Sequence, residues 1–497
     1  MAPDAHTMFA RLRRGISFAD MAVGFLFVVF VSRALLMPAA ADTFWHLRAG
    51  GDILRTGAVP RVEAYSFTAA GWPWRDHEWL WQPISYACHH LGGMPLLALC
   101  GATFVVAALV LVHRLMVGPA WTRFALLLIG LPLTIPVWTL RPHLFTLLAV
   151  PLLVTLLARE RLWPIPLLFV VWANMHGAVA LGGIILGAAT AVAVLRWRIH
   201  RTPADRRRAL VLAIVLPAAA AACLATPLGT GMFHFLADSM VRIRAIKIGE
   251  WQPTLPTATY GAIFWVLAVA FLSTLVVRRR ALRDGHAASW ADWVAVTGAL
   301  ALLPLAATAV RNVTPFLLLA IPATSRLLGP DARLRLPWWK APEARADADR
   351  PRANLALLAS MSLAALVFVA WSYRTGEPSL GWRPIDERAL AAVRACDGPL
   401  YNQYDDGGYL IWFVPEKPVF VDNRVDPYPL QHITAQLDVQ WERAPYRPLF
   451  DRWGIRCAFL PVTSSTVPAL ERDGWITRFR DDRYTVQAAP AARGGAR

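Results

Sequence analysis

The sequence predicts an α-helical polytopic membrane protein with a C-terminal extracytoplasmic α/β domain, and three observations predict it. Composition is the first. Of the 497 residues, 56% are apolar and the mean hydropathy is +0.42, above the roughly 45–50% apolar usage of soluble domains. The second is a recurrence of apolar runs near the ~20 residues needed to cross about 30 Å of hydrocarbon, among them Phe18 to Ala40, Pro95 to Val117 and Tyr260 to Val277. The third is a change after about Tyr373, where short strand and helix patterns replace the long apolar runs.

The runs in order give about 11 transmembrane helices, at 18–40, 95–117, 124–140, 144–158, 162–173, 178–195, 209–226, 260–277, 291–310, 313–328 and 355–371. The stretch Trp163 to Ala173 is too short to cross alone and reads as tilted, broken or re-entrant. Arginines mark every alternate connection: Arg11, Arg13 and Arg14 before the first span, Arg114 and Arg123, Arg159 and Arg161, then the runs Arg196 to Arg208, Arg278 to Arg283 and Arg326 to Arg352. Basic connections face the cytoplasm, so the N-terminus is inside and the region after Trp371 is outside. The first span is followed by no small-residue cleavage site and reads as a retained helix. The net charge of +17 is spent in these short bursts rather than gathered on a folded face with base-reading elements, which excludes nucleic acid as a partner. Residues 1–372 form the transmembrane domain with a long first outer loop at 41–94, residues 373–487 the α/β domain, and 488–497 a disordered tail. Of five cysteines, only Cys396 and Cys457 share a polar region, where an oxidising compartment permits one disulfide.

The polar mixtures sort to one side. Asp42, DHEW (Asp76 to Trp79), TLRPH (Thr139 to His143), ANMHG (Ala173 to Gly177), IKIGEWQP (Ile246 to Pro253) and VRNVTP (Val310 to Pro315) all fall on the outer face. The cytoplasmic connections carry charge without such mixtures, so the outer face reads as a site.

Asp42 opens a helix directly after the first span. It suits an N-cap, helical spacing puts it on one face with His46, and Trp45 suits the interfacial aromatic belt. A carboxylate held at the hydrocarbon edge also serves as general base or metal ligand. In GWPWRDHEWLW (Gly71 to Trp81) the tryptophans fit an amphipathic element at the headgroup level. HEWLW lacks the second histidine of HExxH, because Trp81 stands in its place, which disfavours a metalloprotease. A cap needs only Asp76 and a belt needs no acids, so Asp76, His77 and Glu78 together exceed both. Carboxylates beside ring faces suit sugar or phosphate recognition. Arg141 and His143, and Arg311, end the third and ninth spans; together the arginines suit a phosphate. His176 lies beyond the short span, where a histidine is more often a structural hydrogen-bonder than a ligand. Glu250 stands near Arg242, Arg244 and Lys247 as pairing partners, and Arg33, within the first span, pairs with Asp42 if it reaches outward.

In the C-terminal region PLYNQY, PVFVDNR and CAFLPV read as strands, GGYLIWFV and Pro429 to Arg452 as helical, and WITRFRDDRYTVQ as a hairpin. YNQYDDGGYLIWF sets Asp405 and Asp406 with two glycines at a strand-to-helix turn, a place for ligands in α/β sheets and equally a plain turn.

A first outer loop with an Asp just after the first span, a second acidic cluster, many spans and an outer C-terminal domain resemble the GT-C superfamily of integral-membrane glycosyltransferases. DTFWHL, DHEW, RPH, NMHG, EWQP and YDDGGYLIWF are closer to a bacterial branch without an assigned reaction. YDDGGY is also loosely similar to the tryptophan-tryptophan-aspartate-tyrosine-glycine motif of oligosaccharyltransferase catalytic subunits, but Gln403 and Tyr404 replace two tryptophans, so sequon recognition does not carry over. The resemblance implies inverting transfer of a sugar from a polyprenyl-phosphate donor at the outer face of a bacterial inner membrane. Asp42 matches the first-loop catalytic acid and Asp76 or Glu78 the second acidic position, with Mg or Mn as a divalent cation on that pair. His77, Arg141, His143, His176, Glu250, Arg311, Asp405 and Asp406 are the expected substrate-binding residues, and membrane lipids and the lipid-linked donor the expected partners. The rival readings are a non-catalytic envelope scaffold of the same fold and, third, a transporter, for which the single short span lacks the paired counterpart.

Overall fold

The computed structural model describes residues 15–283, 289–330, 349–376 and 378–490. Arg11, Arg13 and Arg14, most of the Arg326 to Arg352 run and most of the 488–497 tail lie outside the described residues. The chain divides into two compact units. The first comprises Met1–Met37, Ala98–Ala225 and Gly249–Glu377; the second comprises Pro38–Leu97, Thr226–Ile248 and Pro378–Arg497.

Each of the eleven expected spans has a helical counterpart. They are α1 (Phe18–Leu35), the later part of α3 (Trp81–Leu115), α4 (Ala120–Gly130) with its continuing 3₁₀ turn Leu131–Val137, α5 (His143–Ala158), α6 (Ile165–Met175), α7 (Val179–His200), α8 (Pro203–Ala222), α10 (Thr259–Arg283), α11 (Trp290–Thr308), α12 (Val313–Leu328) and α13 (Pro351–Thr375). Seven of these are long and apolar enough to cross a membrane, fewer than the expected eleven. The shortfall has local causes. α5 and α12 have 16 residues and α6 has 11, below the ~20 that cross without thinning or tilt, and α8 opens on Arg206, Arg207 and Arg208. The helix starts follow their caps: Ser17, Thr202 and Ser289 each accept from the amide three residues on, satisfying a donor that the first turn leaves open. α3 breaks at Gly92 and Gly93, whose dihedrals leave the helical region, so its spanning part begins after them. On α13, Leu363, Leu366, Val367, Phe368 and Trp371 are exposed, and on α10 Val266, Val269 and Val276. Such faces are costly in water and at home in lipid. The protein is a multi-pass membrane protein.

The second unit contains α2 (Ala41–Thr56), the loop that follows it, α9 (Gly231–Ile246) and the C-terminal elements. These are α14 (Glu387–Arg394), β1 (Leu400–Asn402), α15 (Gly407–Phe413), α16 (Leu430–Gln440), α17 (Tyr446–Trp453), β2 (Cys457–Pro461), α18 (Thr466–Arg472), β3 (Ile476–Arg480) and β4 (Tyr484–Ala488). The sheet order is β1-β2-β4-β3, with β1 and β2 parallel and the other pairs antiparallel. One expected strand differs. PVFVDNR joins no sheet; instead Val419 exchanges backbone hydrogen bonds with Tyr65 and Phe67 of the first loop, and Asn402 Oδ1 accepts the Phe420 amide. The buried Val419–Phe420–Val421 run thus ties loop to domain.

Two glycines open α15. A Cβ on Gly407 would lie 2.1 Å from the Val421 carbonyl oxygen, and one on Gly408 2.4 Å from that of Ala41. They are there for close packing of α2 and the 419–421 run on α15, with Phe44 sealing the contact against Tyr409 and Phe413. Cys396 and Cys457 form a disulfide across 61 residues, anchoring the end of α14 to β2. The Cys396→Ala/Cys457→Ala variant is expected to lose about 2–4 kcal/mol, read as a lower unfolding temperature than wild type under non-reducing conditions and no difference under reducing ones.

Candidate functional site

The first candidate residue sits at the start of α2. Its N-cap is Ala40, whose amide donates to Thr43 Oγ1, so Asp42 does not cap the helix as expected; it lies in the first turn, where the helix dipole favours an anion. Its carboxylate accepts from Asn423 Nδ2 and from Trp45 Nε1 at 3.4 Å, and the residue is half-buried. Arg33 donates to the Leu36 carbonyl at 2.6 Å. One turn on, His46 is buried at 1% exposure, with Nε2 3.5 Å from Glu78 Oε2. Glu78 Oε1 is 3.5 Å from His77 Nε2. Glu78 therefore bridges two histidines from opposite ends of the loop. Burial lowers the affinity of His77 for a proton, but Glu78, Asp76 and Asp426 together outweigh it and the net direction is up.

Asp76 is buried at 3% exposure. Its Oδ1 accepts from Gln82 Nε2 at 2.8 Å and it takes the Glu78 amide, an Asx turn rather than a helix cap. Oδ2 is buried with no hydrogen-bond partner among the described residues. Burial pushes the carboxyl up to about 7. An acid raised this way is protonated in the folded chain where the unfolded chain has already lost its proton, so stability falls as pH rises from about 4 to about 7. Asp76→Asn removes that loss: its unfolding temperature is expected to exceed wild type at pH above about 7 and to match it near pH 4. The tryptophans do not form the expected belt. Trp74 and Trp81 are buried at 6% and 1% exposure, and only Trp72, at 42%, is exposed.

The corresponding segment of the C-terminal region is built from VDNR. Arg424 is buried, with Nη1 2.8 Å from Glu63 Oε2 and Nη2 2.6 Å from Asp422 Oδ2. Its guanidinium lies 4.5 Å from the Trp74 ring centroid, 4.9 Å from Tyr65 and 5.7 Å from Trp45. Tyr428 OH donates to Asp422. Burial raises the Glu63 carboxyl against the pull of Arg424. Asn423 thus stands between two residues locked in a buried ion cluster, which fixes the amide that holds Asp42. Arg75 adds a second clasp, bonding Asp426 with its backbone amide and Nε and pairing with Asp238 of α9. The signal for this cluster was the Asp-Asn-Arg run after a buried apolar strand pattern; nothing local marked Glu63 as its partner.

Asp405 is exposed while Asp406 is buried, its Oδ1 accepting from Tyr484 OH at 3.2 Å. Burial pushes the Asp406 carboxyl up to about 7. Asp405 is met by Gln440, and Tyr409 lies in the combined field of Asp406, Asp42 and Asp405.

In the first unit four separated motifs meet. Glu250 Oε1 lies 3.0 Å from Arg311 Nη1 and Oε2 3.8 Å from Arg141 Nη1, while Arg311 stacks 4.3 Å from the Trp251 ring centroid. Glu250 pairs with these rather than with Arg242, which bonds Asp238 and the Tyr428 carbonyl. His143 Nε2 donates to the Val137 carbonyl. His176 Nδ1 is 2.8 Å from Thr146 Oγ1, which also accepts from Trp172 Nε1, and the two imidazoles stand 6.3 Å apart.

The expected divalent cation does not fit this geometry. Both oxygens of Glu78 face histidines, Asp76 faces Gln82, and among the described residues no group of three or more His, Cys, Asp or Glu side chains is placed to hold a metal ion.

The sequence matches no protein-family model, and no curated protein matches it. Among solved structures it is similar to the Archaeoglobus fulgidus oligosaccharyltransferase tethered with an acceptor peptide containing the NVT sequon, with TM-score 0.54 and 10% identity over 88% of this chain and 69% of that one. The same archaeal oligosaccharyltransferase, AglB, in complex with an inhibitory peptide and a dolichol-phosphate, matches with TM-score 0.50 and 10% identity over 89% and 69%. ArnT from Cupriavidus metallidurans bound to undecaprenyl phosphate matches over 96% of this chain and 98% of that one, with 14% identity and TM-score 0.49. The fold that the motifs resembled is the fold found: the chain is a multi-pass membrane protein of GT-C-like architecture.

Proposed function

We propose that this protein is an inverting membrane glycosyltransferase that moves a sugar from a polyprenyl-phosphate-linked donor to an acceptor hydroxyl at the outer face of a bacterial inner membrane. The observation that carries the reading is Asp42: a half-buried carboxylate in the first turn of α2, held by Asn423. An oriented carboxylate that is only half-buried is what a general base requires.

The acceptor oxygen gives its proton to Asp42 and forms the new bond to the anomeric carbon. The bond from that carbon to the phosphate oxygen breaks, and the lipid phosphate leaves with the electron pair. Glu78 and His46 form the supporting polar ground beside α2, with Asp76 and His77 shaping the loop. A departing phosphate needs cations, and in the membrane unit Arg141 and Arg311 are the pair suited to it, with Glu250 as the anion they hold in the absence of a phosphate. His143 and His176 line the same region as hydrogen-bonding groups. Asp405 and Asp406 serve the acceptor side, Asp405 as the exposed member. AglB's complex with a dolichol-phosphate supports a lipid-phosphate donor by likeness of fold.

What supports the outer-face assignment is agreement between two independent patterns. Pro38–Leu97, Thr226–Ile248 and Pro378–Arg497 form one contact unit, and the arginine pattern assigns all three to the same side. The Cys396–Cys457 disulfide also suits an oxidising compartment.

The test is native mass spectrometry and single-turnover transfer with protein extracted gently from its own membrane. A co-purifying polyprenyl-phosphate sugar, consumed by wild type and retained by Asp42→Asn, is the expected result. A clean apo mass, under conditions that keep lipid on a known transferase, would shift the reading to a non-catalytic scaffold.

A further inference from the structure

We propose that the C-terminal domain carries a saccharide-binding cleft at the carboxyl ends of its parallel strands, lined by Tyr446, Arg447, Ser465 and Asp473. The cleft is open to solvent and has a volume of about 620 Å³, within the roughly 300–1,000 Å³ of small-molecule sites. One wall is the connection from α16 to α17 with the first residues of α17; the other is the start of α18 and the residues after its end. β2 reaches this wall four residues after Pro461, and Gln403, directly after β1, donates from Nε2 to Ser464 Oγ at 3.0 Å. Both parallel strands therefore end beside the cleft, the end of an open α/β sheet where ligands collect.

Its charges select the ligand class. Arg443, Arg447 and Arg472 line it together with Glu442 and Asp473, and Asp438 pairs with Arg443 at 2.6 Å. Cations and acids thus balance. Asp473 is held by Arg447 Nε at 3.0 Å and by Tyr446 OH. A phosphate or carboxylate ligand would reach Arg447 only by displacing Asp473. A sugar hydroxyl would not, because it donates and accepts at once and so bridges a paired guanidinium and carboxylate. Ser465 and Thr466 add hydroxyls, while Pro445 and Ala469 supply an apolar wall for a ring face. A half-exposed platform stands beside them in sequence, where Arg443 lies 4.5 Å over the Trp441 ring, itself 42% exposed. The inference goes beyond the transfer reading, since a chain without transfer chemistry would hold a glycan here equally well.

Saturation-transfer difference NMR on the full chain in lipid nanodiscs tests it, with neutral trisaccharides of glucose, galactose, mannose and N-acetylglucosamine as probes. The expected result is transfer to the ring protons of at least one probe, undisturbed by excess inorganic phosphate. Affinity is expected to fall about fivefold or more in Arg447→Ala through lost hydrogen bonds, and also in Asp473→Asn, which keeps the side chain's shape; Arg394→Ala, on α14, leaves it unchanged. Silence across the panel, an affinity unchanged in Asp473→Asn with its fold intact, or displacement by phosphate would each overturn the proposal. Because binding is read rather than turnover, failure here leaves the transfer reading standing, and the reverse.

Discussion

Replacing Arg424 by alanine is expected to destabilise the second unit by about 3–5 kcal/mol, the cost of breaking a buried ion pair from one side. The reason is arithmetic in charge. Among the described residues Arg424 is the cation paired with both Glu63 and Asp422, all three at 4% exposure or less. Without it two carboxylates remain in an aromatic enclosure of Trp45, Tyr65 and Trp74, where each must be neutralised or desolvated. The loss should therefore shrink at acidic pH as the carboxyls take up protons. Arg424→Lys is not expected to restore stability, because a lysine lacks the planar fork that bonds Asp422 through two nitrogens while the third faces Glu63. Replacing all three charges together, with Arg424→Met, Glu63→Gln and Asp422→Asn, should cost far less than Arg424→Ala alone. Thermal unfolding of the four proteins across pH distinguishes these outcomes; a full loss that is independent of pH would refute the charge argument.

Asp42→Asn is expected to lower the single-turnover transfer rate by about 10²–10⁴-fold, the range attributable to a positioned general base. Donor binding should persist, because asparagine keeps the shape of the side chain and its Oδ1 still accepts from Asn423 Nδ2. Asn423→Ala leaves the base but removes the group that aims it, so a smaller loss of about 10-fold or more is expected, through orientation alone. The order matters: a variant series in which Asn423→Ala is the more damaging would point to a structural role for the contact. Wild-type turnover in Asp42→Asn would remove Asp42 from the mechanism.

How far the sequence could be read depended on the range of the interaction. The long apolar helices and the C-terminal hairpin are settled by residues close in the chain, and their type was legible; the caps at Ser17, Thr202 and Ser289 and the break at Gly92–Gly93 are equally local. PVFVDNR was misread because its apolar run is extended and buried, as in a sheet strand, but its backbone partners are Tyr65 and Phe67 of a loop far away. The tryptophans of GWPWRDHEWLW were misread for the same reason: composition suggests a belt, yet Trp74 is drawn inward as one wall around Arg424. The glycines of YDDGGY carry two meanings in sequence, a turn or a ligand cradle, and packing against Val421 and Ala41 selects neither.

By itself, the sequence determined that this is a membrane protein of many helices, which connections carry the arginines, and which chemical groups are sorted against them. Hydropathy, capping and charge bias act over a few residues and leave a direct trace in their order. Only the tertiary structure decided the partners: Asn423 for Asp42 across 381 residues, Glu63 for Arg424, Glu250 for Arg141 and Arg311. A charged side chain fixes that a partner is needed when it is buried, but which one answers is set by the packing of distant segments, and no local pattern encodes that choice.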